Sequence, residues 1–510
     1  MSSLNTLGQR FADSLHAASL KAATVVLQEE HENKIHVSGA GRTLTQAYEQ
    51  LRNAAEYTEE HLLLQRAIHR FYRRTFLPKD ETLAGSSGEE LVIELTLAGY
   101  LQNDTVAAGV VPKINKLARD YFLAQTKYGK DAWGIDVLAV EIEQLLNYDI
   151  KRDIFVQFAY DYFLRAIDRE KLLGGSDPNY ELALFVAVHR SLLKSDPATI
   201  RSAMLGRYKQ EPLSASYGKT NEMLDGILDS PAVDKAQRFI SKHGAALRIL
   251  SRLIDEEDDV SVLLQSREQF LVAFEKQIID EYTRIDSRIN RGILKSVIFL
   301  IITKFIIGIA IEVPYDYWAH GEILWLALAV NLLFPPIYMV LLRFTLTLPG
   351  ANNTTALTDT IDSLLYGKEQ TTRFSYGTSS GFGTAFNIAY GLLFVVIFGA
   401  ASYGLMQLGF SALHLLIFFV FLSTASFLGF RLSRQIREIE AGDSQQNGVS
   451  MIRDFLYIPF VVVGRWMSEK YSRVNIVAMT LDMVIELPLK TVLHLLRQWG
   501  SFIASKKDEL

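Results

Sequence analysis

Lys304 is a basic side chain inside an otherwise apolar run, Ile293–Ile311, in which the only other charge is Lys295 near its start. At 1.5 Å per residue it falls roughly 16 Å into such a span, near mid-bilayer. A lone ammonium there costs about 2.5–3.5 kcal/mol on an insertion scale. Such a residue either contacts a substrate, pairs with an acid such as Asp482 or Glu486 in a bundle interior, or snorkels toward the outer interface near Glu312. Asn331 and Pro335-Pro336 lie in the next apolar run. Successive prolines withdraw backbone donors and predict a kinked or broken helix. Carbonyls freed at depth line cavities in transporters with discontinuous helices. The same residues serve packing equally well, with Asn331 bonding to a neighbouring helix.

Three polar stripes offer a different chemistry. Arg284, Arg288, Arg291 and Lys295 run beside an apolar stripe of Leu271, Phe274, Ile278, Tyr282, Ile285 and Ile289, just before the first apolar run. They read as positive-inside anchoring, and as attraction to anionic lipid at about 1 kcal/mol per base. Arg66, Arg70, Arg73 and Arg74 are interleaved with Phe71, Tyr72 and Phe76. That pattern grips lipid phosphates or an acidic partner, or forms a solvated basic face at a helix C-terminus. Asp482, Glu486, Lys490 and His494 recur every four residues, opposite Ile476, Met479, Met483 and Leu487. This is the pattern of an in-plane interfacial helix, and residues 452–499 read as an amphipathic interfacial hairpin under the cytoplasmic leaflet. The alternative is a six-span protein with Asp482 and Glu486 facing the bundle interior.

No motif names a reaction. The sequence has no cysteine, no His-Glu-x-x-His, no phosphate loop and no Gly-x-Ser-x-Gly elbow. No metal site, cofactor or enzymatic activity is expected. A net charge of −5 gives no basic excess for nucleic acid.

The elements that must hold these residues are helices. There is no Asp, Glu, Lys or Arg from Phe374 to Phe430, enough for two spans at about 20 residues each. The expected architecture is all-α: a helical cytoplasmic domain (1–259), a juxtamembrane amphipathic helix (260–292), four transmembrane helices, and a helical cytoplasmic or interfacial tail (431–510). The four spans are placed at 293–311, 323–342, 384–408 and 411–430. Arg284 to Lys295, then Arg343, Lys368 and Arg373, then Arg431, Arg434 and Arg437 all flank one side, so both termini are expected in the cytoplasm. The first loop, carrying Glu312 and Asp316, and the sequons at Asn352-Asn353-Thr354-Thr355 are read as inter-span loops. Lys507-Asp508-Glu509-Leu510 spells a retrieval address, which has meaning only if the topology is inverted in an ER membrane. In the cytoplasmic part, Asp177-Pro178, Asp196-Pro197 and Ser230-Pro231 predict helix starts, and Ser87 with Glu90 a capping box.

The block FLYIPFVVVGRWMSEKYSRVNIVAMTLDMVIELPLKTVLHLLRQWGSFI resembles the tails of uncharacterised helical membrane proteins from small-genome, candidate-phylum bacteria. The likeness rests on Arg465-Trp466, the Asn475-Ile476-Val477 entry and the Ile-Glu-Leu-Pro-Leu-Lys segment at 485–490. It implies a bacterial inner membrane and no activity. The expected function is a non-enzymatic membrane-anchored scaffold or accessory protein, touching the lipid bilayer and a protein partner at the cytoplasmic face. A homo-oligomer is a further partner reading. The alternative is a transporter or channel component built on Lys304 and the proline-broken second span.

Overall fold

The computed structural model describes residues 3–29, 33–39, 62–173, 178–257, 259–367, 384–442 and 448–472, with scattered positions between 42 and 53. Among these residues every named element is helical, and Lys34 with Ala107 forms an isolated bridge. The described chain gathers into two compact units. One takes residues 10–164 and 178–237; the other takes 3–9, 165–173 and 238–472. The compositional boundary expected at 259 therefore differs from the division by packing, which falls at 237.

In the unit of residues 10–237, helix Leu63–Thr75 packs on Ile135–Leu146 and buries Ile68, Tyr72, Val137 and Leu138. Asp196 caps Pro197–Arg207 as its sequence predicts, accepting from the Thr199 N–H at 3.0 Å. Ser230 accepts from Val233 N–H ahead of Pro231–His243. The expected box at Ser87 does not form: the hydroxyl turns back and donates to the Ala84 carbonyl at 2.9 Å, although Ser87 still precedes Gly88–Ala98. Asp177 lies outside the described residues. Arg201 is buried and reaches Asn221 and Asp225. Trp133 Nε1 donates to the same Asp225, so the buried guanidinium is paired.

The other unit is built on one long helix, Arg267–Ile307. The expected juxtamembrane helix and first span are a single element: no proline lies at their junction, and Gly292 there stays helical, packed closely against Leu432. Phe270, Phe274, Ile278, Ile285, Ile289, Ile293 and Leu300 form its buried stripe; Phe270, one residue before Leu271, takes the inward position. Helix Ala245–Glu256 and helix Ala351–Leu365 pack on its N-terminal half. The latter occupies the segment expected as a loop, and Asn353 there donates to Tyr282 Oη (2.8 Å) and the Ile439 carbonyl (2.9 Å).

Four helices are long and apolar enough to cross a membrane: Arg267–His320, Trp325–Thr345, Ile388–Gln407 and Ala412–Arg437. They are consistent with a multi-pass membrane protein. The first, second and fourth pack mutually. Pro335 and Pro336 sit inside Trp325–Thr345, whose helix is continuous through them; the second span is not broken. Gly429 of the fourth span lies so close to Leu342 that a side chain there would collide. Helix Gly448–Ser472, the first arm of the expected interfacial hairpin, packs on the third and fourth spans. Phe460 meets Phe398 and Phe419, and Gly464 abuts the Ser423 carbonyl. Asp482, Glu486, Lys490, His494 and the Lys507–Leu510 tetrapeptide lie outside the described residues.

Candidate functional site

The first span does not end at Ile311. It passes through a π-turn, Gly308–Glu312, into Val313–His320, so Glu312 and Asp316 are helical residues rather than members of a loop. The π-turn decides what they face. In a regular α-helix, residues eight apart differ by about 80° around the axis. A π-turn absorbs one additional residue, removing about one residue's rotation, and returns Glu312 to the face of Lys304. Four residues later Asp316 follows on that face, and then His320.

The result is a polar cluster walled by three spans. Lys304 is 2% exposed; Glu312, Asp316, Asn331 and His414 are 0% exposed. Lys304 Nζ pairs with Glu312 Oε1 and lies 5.0 Å from the centroid of the Phe421 ring. From the second span, Asn331 Nδ2 donates to Glu312 Oε2 (3.4 Å) and to the His414 carbonyl (3.2 Å). Pro335 and Pro336 have no N–H for the Asn331 and Leu332 carbonyls, which adds acceptors at this depth. From the fourth span, Ser411 caps the helix by accepting from the His414 N–H. Its hydroxyl is then free to donate to His414 Nδ1, 2.8 Å away. That assignment leaves the proton of a neutral imidazole on Nε2.

Asp316 completes the cluster. Its Oδ2 accepts from the Leu324 N–H (3.1 Å) and stands 3.4 Å from His414 Nε2. Its Oδ1 is 3.9 Å from Nδ1 of His320, whose side chain is 37% exposed. Among the described residues, Asp316 Oδ1, Asn331 Oδ1 and His414 Nε2 are buried without a hydrogen-bond partner. Toward the Arg343 end of the bundle the cluster gives way to an apolar core that includes Leu300, Met339, Phe421 and Ala425.

Of the residues singled out by sequence, the structure brings Lys304 and Asn331 together, with Pro335 and Pro336 buried one turn on. Glu312 is the partner of Lys304, but by burial rather than by snorkelling to an interface. From the sequence Asp316 reads only as a loop acid and His414 as unremarkable near the outer turn. An acid in a short presumed loop and a histidine beside a turn carry no signal unless helical phase is continued through the π-turn.

The basic stripes disperse. Arg284 is engaged by Glu256 (Nη2 to Oε2, 2.7 Å) and by Glu281 (3.1 Å). Arg291 donates to the Ser287 carbonyl, and Arg288 and Lys295 are exposed. Arg70 pairs with Glu49 (2.5 Å) and Arg74 with Glu94 (2.8 Å), whereas Arg66 and Arg73 are exposed.

Comparison with family models, curated proteins and solved structures finds no match for this chain.

Proposed function

We propose that this is a membrane transport component whose working site is the Lys304–Glu312–Asp316–Asn331–His414 cluster. The observation that carries the reading is burial. Two carboxylates, an ammonium and a histidine share one dry interior, where an apolar core would serve stability at least as well. A polar cluster closed off from solvent between apolar helices has the form of an occluded state of an alternating site. The basic flanks support an orientation with the His320 end outside, as in a bacterial inner membrane.

A second reading, a membrane-anchored scaffold, is favoured by the separate helical unit of residues 10–237, which a path through the bilayer does not need. One experiment divides the two. Vesicles holding the full-length chain are given a pH gradient and a mixture of isotope-labelled amino acids, sugars and organic acids. Accumulation above protein-free vesicles that disappears with Lys304→Met supports transport. Accumulation no higher than in protein-free vesicles removes the transport reading, and soluble proteins retained on the detergent-purified chain would then favour the scaffold.

A further inference from the structure

We propose that the buried cluster binds one exchangeable proton, shared between Asp316 and His414, and that this proton is the coupling ion of the site. Charge counting leads there. With Lys304 charged, Glu312 and Asp316 ionised and His414 neutral, the interior carries one uncompensated negative charge, in a place where such a charge is not tolerated unpaired. One more positive charge balances the site.

The geometry places that charge. Glu312 is occupied on both oxygens, by Lys304 and by Asn331. Asp316 is not: Oδ1 is fully buried with no hydrogen-bond partner among the described residues, and Oδ2 faces His414 Nε2 at 3.4 Å. Carboxylate and imidazole at that separation can hold a proton on either member. A metal cation fits poorly. The described residues include no group of three His, Asp or Glu side chains placed to hold one, and the Nε2–H assigned to His414 would repel it.

His320 gives the proton its route. It is exposed and stands 3.9 Å from Asp316 Oδ1. The ionisable groups around the pair are thus Lys304, Glu312 and His320 on the first span and His414 on the fourth. The second span contributes the uncharged Asn331.

The inference rests on the transport reading only for what the proton would drive; proton binding itself is measured without any solute. Full-length chain in nanodiscs is titrated potentiometrically from pH 8 to 5, and variant curves are subtracted from wild type. At pH 7 the wild type should retain about one cluster proton that Asp316→Asn lacks, and Glu312→Gln should lack it too, because either change balances Lys304 alone. Lys304→Met should retain about two. The double variant Lys304→Met with Glu312→Gln restores the wild-type balance and should return to about one; it also guards against single variants that fail to fold. Equal proton counts in wild type and Asp316→Asn would overturn the proposal. So would a proton lost when choline chloride is replaced by sodium chloride, since sodium would then be the ion. A retained proton in a chain that accumulates no solute would end the transport reading and leave the proton site standing.

Discussion

The Lys304–Glu312 pair is bonded at both ends and dry, so its two members are worth more together than apart. Removing one partner from a buried pair leaves the other without its hydrogen-bonded counterion and costs about 3–5 kcal/mol, whereas replacing both with uncharged groups of similar volume is close to neutral. Glu312→Ala should therefore destabilise the detergent-solubilised chain strongly, and Lys304→Met combined with Glu312→Gln far less. Denaturant midpoints of the two singles and the double decide this; additive losses would show that the charges do not interact. A second residue-scale expectation lies in the unit of residues 10–237. Burial and the nearby Arg152 push His189 down to about 3, and burial pushes Glu143 up to about 7. The signs oppose. A depressed histidine contributes stability above its unfolded pKa that is lost as pH falls. A raised glutamate holds its proton in the fold, so its penalty fades as pH falls. Between pH 7 and 5 each is worth about 2 kcal/mol, and wild type should vary less with pH than a variant that lacks either one. His189→Gln should become more stable on acidification and Glu143→Gln less, read by hydrogen exchange in peptides spanning 135–146 and 180–193. Parallel slopes in both variants would refute the opposing titrations. Lys304 was legible in the sequence because a charge in an apolar run has few explanations. His189 was not, because a histidine in a helical pattern gives no sign of its burial; here Nδ1 is 3.2 Å from Ser195 Oγ and the ring packs on Phe185.

At the scale of elements, the π-turn is the device on which the site depends, since phase and not composition brings Glu312 and Asp316 to Lys304. Inserting one alanine before Ile309, a residue of that turn that is 56% exposed, should rotate both acids about 100° away from Lys304. The expected result is a loss of stability comparable to Glu312→Ala, although no polar side chain is touched. If the lengthened chain unfolds at the wild-type midpoint, helical phase does not hold the acids at Lys304. Close helix contact makes a parallel case. Gly429→Leu must displace Leu342 and the second span, at about 1–3 kcal/mol for overpacking. The apolar runs and the Asp-Pro starts were legible because they depend on local chemistry. The π-turn, the continuous second span and the seating of Gly448–Ser472 on two spans were not, since each is decided by neighbours far away in sequence.

For the molecule as a whole, the absence of charge from Phe374 to Phe430 was enough to place the membrane part, because burying ionised side chains in lipid overrides every weaker preference. The division at residue 237 was hidden. Asn5, near the start of the chain, donates to the Leu364 carbonyl at 2.7 Å and its own N–H to Leu365 at 2.8 Å; no composition shift announces a contact across that much sequence. The span count and its sidedness remain separable by a simple chemistry, since the chain has no cysteine and any introduced thiol is unique. Trp318 is 83% exposed just beyond the π-turn, and Arg288 is exposed below the first span on the same continuous helix. Trp318→Cys should react with a membrane-impermeant maleimide from outside intact cells, and Arg288→Cys only after permeabilisation. If both label from the same side without permeabilisation, the helix between them does not cross the bilayer, and the intramembrane setting of the Lys304 cluster goes with it.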